Sequence, residues 1–370
     1  MNEAASQVVV VGAGPAGLAT SFALYQKGIT HLVLEQGDQV GNSWAHLYDN
    51  LTLHTGKHLS ALPGMPLPPG TPLFPSRQKF LAYLHQYAQE FKLPIRTGCD
   101  VKRVQRNGEG WCIKSSQGDF FSRSVVLATG IVSNQVIPSF QGQGRYHGDL
   151  QHSVEYKNPK RYAGRQVLVI GVGNSGAEIA NELAAGGVSV TLAIRTGAHV
   201  VPLKVFGVPI QYYSVMLEKL PSSVRGLITK MFGAITELFF GESPVPKPPW
   251  TVLEKPPVIG RKLIEQIRKG KIRVKRNIVE FTETGATFDD GTVLQFDHVI
   301  LATGYRAALG PIQHLIQLDA RGFALRNQVV SLDQPDLYFV GHNYSSVGAL
   351  LNIRRDAKLV ATMIAQRLSH

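Results

Sequence analysis

The stretch Val8-Val9-Val10-Val11-Gly12-Ala13-Gly14-Pro15-Ala16-Gly17 decides the fold, because it has the pattern of a buried strand, a glycine turn and the start of a helix. A second copy of the pattern is Val167-Leu168-Val169-Ile170-Gly171-Val172-Gly173-Asn174-Ser175-Gly176. Such a turn points backbone N–H groups and the positive end of the helix at a pyrophosphate. The chain is therefore predicted to have two dinucleotide sites.

The residues that close the two units carry opposite charges. The apolar run 31–34 ends at Glu35, whereas the apolar run 188–194 ends at Arg195. An acid at this position accepts hydrogen bonds from ribose hydroxyls, and an arginine binds a 2′-phosphate. We expect Arg195 to give about ten- to hundred-fold preference for NADPH over NADH. Two sites of unlike preference suggest two redox cofactors that exchange electrons.

Each half of the chain later closes with an apolar strand that ends in Ala-Thr-Gly. The two copies are Ala128-Thr129-Gly130 and Ala302-Thr303-Gly304. Strands that alternate with helices predict βαβ units and parallel sheets, and short uninterrupted Val, Leu and Ile runs fit strands buried on both faces. We expect an α/β fold with two nested Rossmann-like dinucleotide-binding domains. Residues 1–155 and 297–370 would form one discontinuous domain, and residues 156–296 would form the inserted one.

The composition is that of an ordinary globular protein, with 44% apolar and 17% charged residues among 370. The short polar start gives no signal peptide, and no apolar run is long enough to span a bilayer, so we expect a cytoplasmic protein. The two cysteines, Cys99 and Cys112, form no C-x-x-C pair, which counts against a dithiol centre. We expect no metal site.

The net charge of +12 suits anionic cofactors and an anionic substrate. The densest basic stretch, residues 261–276, has no interleaved aromatic residues and has the pattern of an amphipathic helix followed by a strand. We interpret it as a solvated face and expect no nucleic-acid partner.

Two segments interrupt the α/β pattern. The proline-rich residues 59–75 are followed by Ser76, which we expect to cap a helix over residues 77–91. Residues 205–250 carry apolar residues at helical spacing and then four prolines. The sequence leaves four roles for this helical insertion: a lid, a dimer face, a membrane-surface helix, or a helix pair packed on its own domain. It also leaves the oligomeric state undecided, and a homo-oligomer is one alternative.

The two glycine turns, the Glu35-x5-Gly41-x-x-Trp44 arrangement and the late Ala-Thr-Gly-Tyr together resemble the flavin-containing monooxygenases, the class B flavoprotein monooxygenases. The linker Tyr146-His147-Gly148-Asp149-Leu150-Gln151-His152-Ser153-Val154-Glu155-Tyr156 is similar to that family's F-x-G-x-x-x-H-x-x-x-[FY] signature, with tyrosine in the first position. Tyr156 is followed by Lys157, whereas the Baeyer–Villiger relatives have tryptophan at the last position of the motif. The difference counts against that branch.

The likeness is greatest to the YUCCA-type indole-3-pyruvate monooxygenases. It includes Tyr48-Asp49-Asn50-Leu51-Thr52-Leu53-His54 with Lys57 beyond, residues 195–202, Pro256-Pro257-Val258 and Leu301-Ala302-Thr303-Gly304-Tyr305. The likeness extends over most of the chain. The residues after Gly341, beginning with His342-Asn343-Tyr344-Ser345, depart from the YUCCA pattern.

The resemblance implies FAD at the first site and NADPH at the second. Hydride would pass from the nicotinamide to the flavin, which would then take up O2 at its C4a carbon as a peroxyflavin. The implied catalytic residues are His54 and Asn50. The predicted cofactor-binding residues are Gly12, Ala13, Gly14, Pro15, Ala16, Gly17, Glu35, Gly41, Trp44, Ala128, Thr129, Gly130, Gly341, Gly171, Gly173, Asn174, Ser175, Gly176, Arg195 and His152.

For His54 and His152 the residues leave more than one role open. His54 would donate a hydrogen bond to the oxidant or share a proton with the substrate, and a purely structural loop histidine is the alternative. His152 would fix the domain junction or orient the nicotinamide nucleotide.

The function that the resemblance implies is an NADPH- and O2-dependent FAD monooxygenase acting on a small molecule. A YUCCA-like reaction would oxidatively decarboxylate an aryl 2-oxo acid such as indole-3-pyruvate. The alternatives are an N- or S-oxygenating flavin monooxygenase, an NADPH oxidase that releases H2O2, and a flavin-binding protein without turnover.

Overall fold

The computed structural model describes residues 6–252, 254–345 and 347–369. The strands are β1 (Ser6–Val11), β2 (His31–Leu34), β3 (Ile95–Arg96), β4 (Val101–Asn107), β5 (Gly110–Ser115), β6 (Gly118–Leu127), β7 (Asp149–His152), β8 (Gln166–Ile170), β9 (Ser189–Ala193), β10 (Val200–Val201), β11 (Lys204–Val205), β12 (Val208–Pro209), β13 (Val258–Ile259), β14 (Ile272–Lys275), β15 (Ile278–Phe281), β16 (Gly285–Phe288), β17 (Val293–Gln295), β18 (His298–Leu301), β19 (Arg326–Asn327), β20 (Val330–Ser331) and β21 (Leu337–Phe339).

The α-helices are α1 (Pro15–Tyr25), α2 (Asn42–Ala45), α3 (Lys57–Ser60), α4 (Arg77–Glu90), α5 (Asn174–Ala185), α6 (Ile210–Leu217), α7 (Ser222–Phe240), α8 (Lys262–Arg268) and α9 (Ala349–Leu368). Short 3-10 helices cover Gln143–Arg145, Pro159–Tyr162 and Gly310–Leu315. Within the described ranges, no helix combines the length and the apolar character needed to cross a membrane.

The larger sheet joins strands from both ends of the chain. Its order is β19-β20-β21-β6-β1-β2-β3, and β5 pairs with both β6 and β4. The strands from β21 to β3 are parallel, whereas β4 and β5 form an antiparallel meander with β6. Helices α1 and α9 pack against each other and contribute to the same apolar core as Val8 and Val10 of β1.

The second sheet is parallel throughout, with the order β14-β9-β8-β18-β7. Its inner strands β9, β8 and β18 are largely buried, which explains their apolar runs. The mixed α/β class with mainly parallel sheets is the predicted one. The predicted division at residues 155 and 297 stays a prediction, and strands β7 and β18 beside these positions both lie in the second sheet.

Two other local predictions are confirmed. The Ser76 side chain accepts a hydrogen bond from the backbone N–H of Lys79 and caps α4, which ends at Glu90. The basic stretch forms the short amphipathic helix α8 and then strand β14.

The insertion contains α6 and α7, and the apolar residues of α7 lie on two different faces. Ile228 and Phe232 line a cavity of about 230 Å³ between the helices and β10. Leu227 and Met231 belong to an exposed face of the same helix. The helical spacing therefore marks one packed face and one exposed face.

Candidate active site

One cavity of about 740 Å³ extends from the first glycine turn to the second. Thirteen of the predicted site residues line it: Gly12, Gly14, Pro15, Ala16, Glu35, Trp44, His54, Ala128, Thr129, Gly130, Asn174, Ser175 and Gly341. Leu53, Leu350 and Ile353 contribute apolar wall to the same cavity. The cavity therefore brings the two glycine turns and the segment around His54 together.

The first glycine turn is built by close packing at two of its glycines. Gly12 has φ of +104°, and a Cβ added there would lie 2.6 Å from the Ala128 carbonyl oxygen. A Cβ at Gly17 would lie 1.8 Å from the Gly12 carbonyl oxygen. These positions need glycine because the helix, the turn and the Ala-Thr-Gly strand approach one another at the backbone.

The second glycine turn repeats this packing. Gly171 has φ of +105°, and a Cβ there would lie 2.5 Å from the Ala302 carbonyl oxygen. A Cβ at Gly176 would lie 2.1 Å from the carbonyl oxygen of Gly171. The paired Ala-Thr-Gly strands therefore have the same packing role in both units.

The middle glycine of each turn has a different environment. A Cβ at Gly14 or Gly173 would meet no described heavy atom within 4 Å, and each residue is the N-cap of the following helix. Helices α1 and α5 have no acidic residue in their first turns, so neither helix offsets the positive end of its own dipole there. Open space beside a helix N-terminus fits the close approach of a pyrophosphate. The residues present therefore fit two dinucleotides.

Glu35 is tied to the first turn through both carboxylate oxygens. Oε2 accepts the Ala13 N–H at 2.7 Å, and Oε1 accepts the Gly37 N–H at 2.9 Å. The side chain is buried and lines the cavity. Each oxygen keeps a second lone pair for a ribose hydroxyl.

Gly41 contacts the same turn, and Trp44 lies in the wall of the cavity. Gly41 lies in the left-handed region with φ of +68°, and its N–H donates to the Ala13 carbonyl at 3.0 Å. Trp44 lines the cavity and packs edge-on against Phe80, with ring centroids 4.7 Å apart. Gly41 therefore positions the turn, and Trp44 contributes cavity wall.

Arg195 follows β9 at the carboxyl edge of the second sheet. The strand ends at Ala193, whose carbonyl accepts the N–H of Gly171 in the second turn at 3.0 Å. The arginine is exposed and does not line the large cavity. It lies at the sheet edge where the second turn begins.

His54 contacts a residue of the second nucleotide unit. Its Nε2 lies 2.5 Å from Oε1 of Glu178 on α5, and the Tyr48 hydroxyl donates to Oε2 of the same carboxylate. Burial, followed by the charge of Glu178, raises the pKa of Tyr48 far above its usual value. The Tyr48 hydroxyl therefore stays protonated and donates.

Asn50 is exposed and lies outside the large cavity. Its Nδ2 donates to Oε1 of Glu182 at 2.6 Å, one helical turn beyond Glu178. Asn50 therefore joins its own segment to helix α5. The structure does not place it in the cavity with His54, contrary to the expectation that both residues are catalytic.

His152 has both ring nitrogens occupied within the protein. Its Nδ1 accepts the Val154 N–H at 3.3 Å, and its Nε2 donates to the Gly304 carbonyl at 3.2 Å. The ring packs edge-on against Tyr305, and burial lowers its pKa. These contacts support a structural role at the junction of β7 and β18.

The remaining motif residues of the linker have packing roles. The Tyr146 hydroxyl donates to the Phe296 carbonyl at 2.9 Å, and a Cβ at Gly148 would overlap the Tyr146 ring. Tyr156 is fully buried and stacks against Tyr162.

The sequence reasoning missed Glu178 and its partner Tyr48. Glu178 is the fifth residue of the helix that begins at the second glycine turn, and Tyr48 lies in the motif that contains His54. A polar residue on the cavity side of a nucleotide-binding helix was the available signal, but nothing in the sequence identified its partner.

Comparisons with known proteins agree with this arrangement. A family model described as pyridine nucleotide-disulphide oxidoreductase matches residues 9–202. The indole-3-pyruvate monooxygenase YUCCA1 of Oryza sativa subsp. japonica is 32% identical over 312 residues, which cover 81% of this chain and 76% of that protein. The indole-3-pyruvate monooxygenase YUCCA4 of the same plant is 34% identical over 328 residues, covering 81% and 74%. Among solved structures, the flavin-containing monooxygenase from Stenotrophomonas maltophilia superposes with a TM-score of 0.80 at 24% identity, over 98% of this chain and 99% of that one.

Proposed function

We propose, from the family to which this chain belongs, that it is an NADPH-dependent FAD monooxygenase of an aryl 2-oxo acid. The chain is a member of the pyridine nucleotide-disulphide oxidoreductase family and, like its curated relatives, of the flavin-containing monooxygenases. Membership makes it an oxidoreductase that binds a flavin and a nicotinamide dinucleotide. The observation that carries the proposal is the single cavity lined by both Gly14 and Ser175, from the two glycine turns.

The first turn would hold FAD and the second NADPH. Glu35 offers carboxylate oxygens to the adenosine ribose, and Gly14 leaves space for the pyrophosphate beside α1. At the second site Gly173 leaves the matching space beside α5, and Arg195 would bind the 2′-phosphate. When bound, the flavin accepts hydride from the nicotinamide and activates O2, which no side chain of the protein does.

His54 is the residue we assign to the substrate end of the cavity. It lines the cavity between Leu53 and Thr55, and its imidazole can donate a hydrogen bond or accept one. The wall of the same cavity includes the apolar residues Leu53, Leu350 and Ile353. We propose that this pocket takes the aryl group and that His54 holds a proton at the reacting oxygen.

Helix α6 of the insertion packs against the segment that follows His54. Tyr212 packs so closely on Gly56 that an added Cβ would lie 2.7 Å from its ring, and it also meets His58 edge-on. Arg355 of α9 donates to Glu218 at 2.9 Å, just beyond α6. These contacts support a covering role for α6, and covering the site excludes water from the reacting atoms.

The substrate part of the proposal follows from the curated relatives, which are named indole-3-pyruvate monooxygenases. An aryl 2-oxo acid combines a flat apolar group with an anion. Apolar cavity walls and a net charge of +12 fit both parts of such a molecule.

The test begins with the purified protein and its flavin spectrum. We expect bound FAD that NADPH bleaches without air and that air restores. Indole-3-pyruvate, an amine and a thioether are then offered side by side, with NADPH consumption, H2O2 and products measured. Indole-3-acetate formed from indole-3-pyruvate supports the proposal.

Three results would decide against parts of it. Oxygenated amine or thioether without indole-3-acetate would make the protein an N- or S-oxygenating enzyme. One H2O2 released per NADPH with every substrate would make it an oxidase. A bound flavin that NADPH fails to bleach would exclude turnover with this nucleotide.

A further inference from the structure

A carboxylate of the second nucleotide unit holds the proposed catalytic histidine. Glu178 accepts from Tyr48 through Oε2 and lies 2.5 Å from Nε2 of His54 through Oε1. The side chains of His54 and Glu178 are 21% and 26% exposed, so the pair is largely shielded from water. Both oxygens of the carboxylate are therefore engaged by the segment that lines the flavin side of the cavity.

The helix that carries Glu178 is the same helix that begins at the second glycine turn. Asn174 and Ser175 in its first turn line the cavity, and Glu178 lines it about one turn further on. Asn174 is itself fixed, because its Oδ1 accepts the Ile259 N–H at 2.9 Å. A single rigid element thus presents the nucleotide end and the carboxylate to one cavity.

The contact requires a proton on Nε2 of His54. A carboxylate only accepts hydrogen bonds, so Nε2 must donate to Glu178. Within the described part of the chain, Nδ1 of His54 has no hydrogen-bond partner. The imidazole is therefore fixed with Nε2–H directed at Glu178 and with Nδ1 left for another partner.

We propose that Glu178 is a positioning residue for the oxygenation step, which holds His54 in the Nε2–H form from the helix that binds the nicotinamide nucleotide. The proposal rests on the proposed function for the role of His54, but the hydrogen-bonding state it predicts does not. Tyr48 completes the arrangement by donating to the second oxygen and so fixing the carboxylate plane.

The first test is spectroscopic and uses the FAD-loaded protein with 15N-labelled histidine. The signals of His54 are assigned as those missing from His54→Asn. We expect wild type to show the Nε2–H pattern at His54. In Glu178→Gln the amide can donate as well as accept, so we expect a mixture of the two tautomers.

Glu182→Gln is the matched control, because Glu182 lies on the same helix one turn away and contacts Asn50 instead. It should leave the His54 signals unchanged. An Nε2–H pattern in Glu178→Gln identical to wild type would overturn the proposal. If Glu178→Gln does not fold, Glu178→Asp serves in its place: its shorter carboxylate should weaken the contact and shift the His54 signals, and unshifted signals would overturn the proposal.

The second test measures product formed per NADPH consumed, with the accepted substrate. We expect Glu178→Gln to lower this ratio about tenfold or more, since positioned proton transfer contributes roughly 10²–10⁴-fold. We expect Glu178→Asp to recover part of the ratio. A ratio equal to wild type in Glu178→Gln would overturn the positioning role. If wild type oxygenates no substrate, the proposed function fails, and the spectroscopic result still decides the Glu178 contact.

Discussion

At the scale of single residues, Arg195 is the position where charge alone should decide the preferred nucleotide. We expect Arg195→Ala to raise the Kd of NADP+ about ten- to hundred-fold while changing that of NAD+ little, because a charge-assisted hydrogen bond contributes roughly 1.5–3 kcal/mol. Titration of the flavin spectrum with NADP+ and NAD+ measures both affinities. Arg165→Ala is the control, because Arg165 precedes β8 at the opposite edge of the sheet and pairs with Asp297. Equal loss for both nucleotides would contradict the assignment of Arg195.

His342 gives a residue-scale prediction about pH. Burial, followed by the charge of Arg326, lowers the pKa of His342 to about 4 from its ordinary 6.5. The folded protein therefore holds the neutral ring, and this contribution to stability is complete above about pH 6.5 and is lost as the pH falls towards 4. A difference of that size corresponds to roughly 3 kcal/mol. Asp356 acts in the opposite sense, because burial raises its pKa to about 6.

The variant His342→Phe isolates the histidine, because Asp356 and Arg326 are present in both proteins. Urea unfolding at several pH values should show that wild type loses free energy of unfolding relative to the variant as the pH falls from about 6.5 to 4. The phenylalanine ring keeps the packing against Phe323 and Phe339. Parallel curves over this interval would show that His342 does not change charge on unfolding.

At the scale of elements, the glycines of each turn should separate into structural and ligand-facing positions. Gly17→Ala should destabilise the fold by about 1–3 kcal/mol or more, because its Cβ would lie 1.8 Å from the Gly12 carbonyl oxygen. Gly14 has ordinary backbone angles, and its Cβ would meet no described atom within 4 Å. Gly14→Ala should therefore keep the stability of the cofactor-free protein and lose FAD. Thermal unfolding and flavin content measure the two effects.

The second turn offers the same comparison with a different ligand. Gly173→Ala should retain FAD and weaken NADPH binding, whereas Gly176→Ala should destabilise the fold, since its Cβ would lie 2.1 Å from the Gly171 carbonyl oxygen. Loss of FAD in Gly173→Ala would mean that the two turns do not bind separate nucleotides.

The elements that the sequence predicted are those whose signal lies in neighbouring residues. The strand–turn–helix units, the capped helix α4 and the amphipathic α8 all follow from local spacing. The contact of His54 with Glu178 joins residues 124 positions apart and depends on how α5 sits against the first unit, which local spacing does not encode. The two faces of α7 likewise depend on which side packs and which stays exposed.

At the scale of the whole molecule, the two mainly parallel sheets are tied together at the cavity. Glu178 and Glu182 of α5 hold Tyr48, His54 and Asn50 of the first unit, and His152 at the end of β7 binds the Gly304 carbonyl within the second unit. Hydride transfer needs the two nucleotides to be held at contact distance, so a junction fixed from both units preorganises the reaction. The described contacts of the linker motif are therefore hydrogen bonds and packing within the protein, and the redox chemistry belongs to the cofactors.

The net charge of +12 should act on the rate at which the anionic nucleotide arrives. Long-range attraction raises association rates and is screened by salt, with a Debye length of about 10 Å at 0.1 M. We expect the association rate constant of NADPH, measured by stopped-flow absorbance, to fall several-fold between about 20 and 300 mM NaCl. An uncharged thioether should show no comparable fall, and Arg195→Ala should reduce the salt dependence for NADPH. An association rate for NADPH that does not change with salt would mean that the positive charges lie away from the second site.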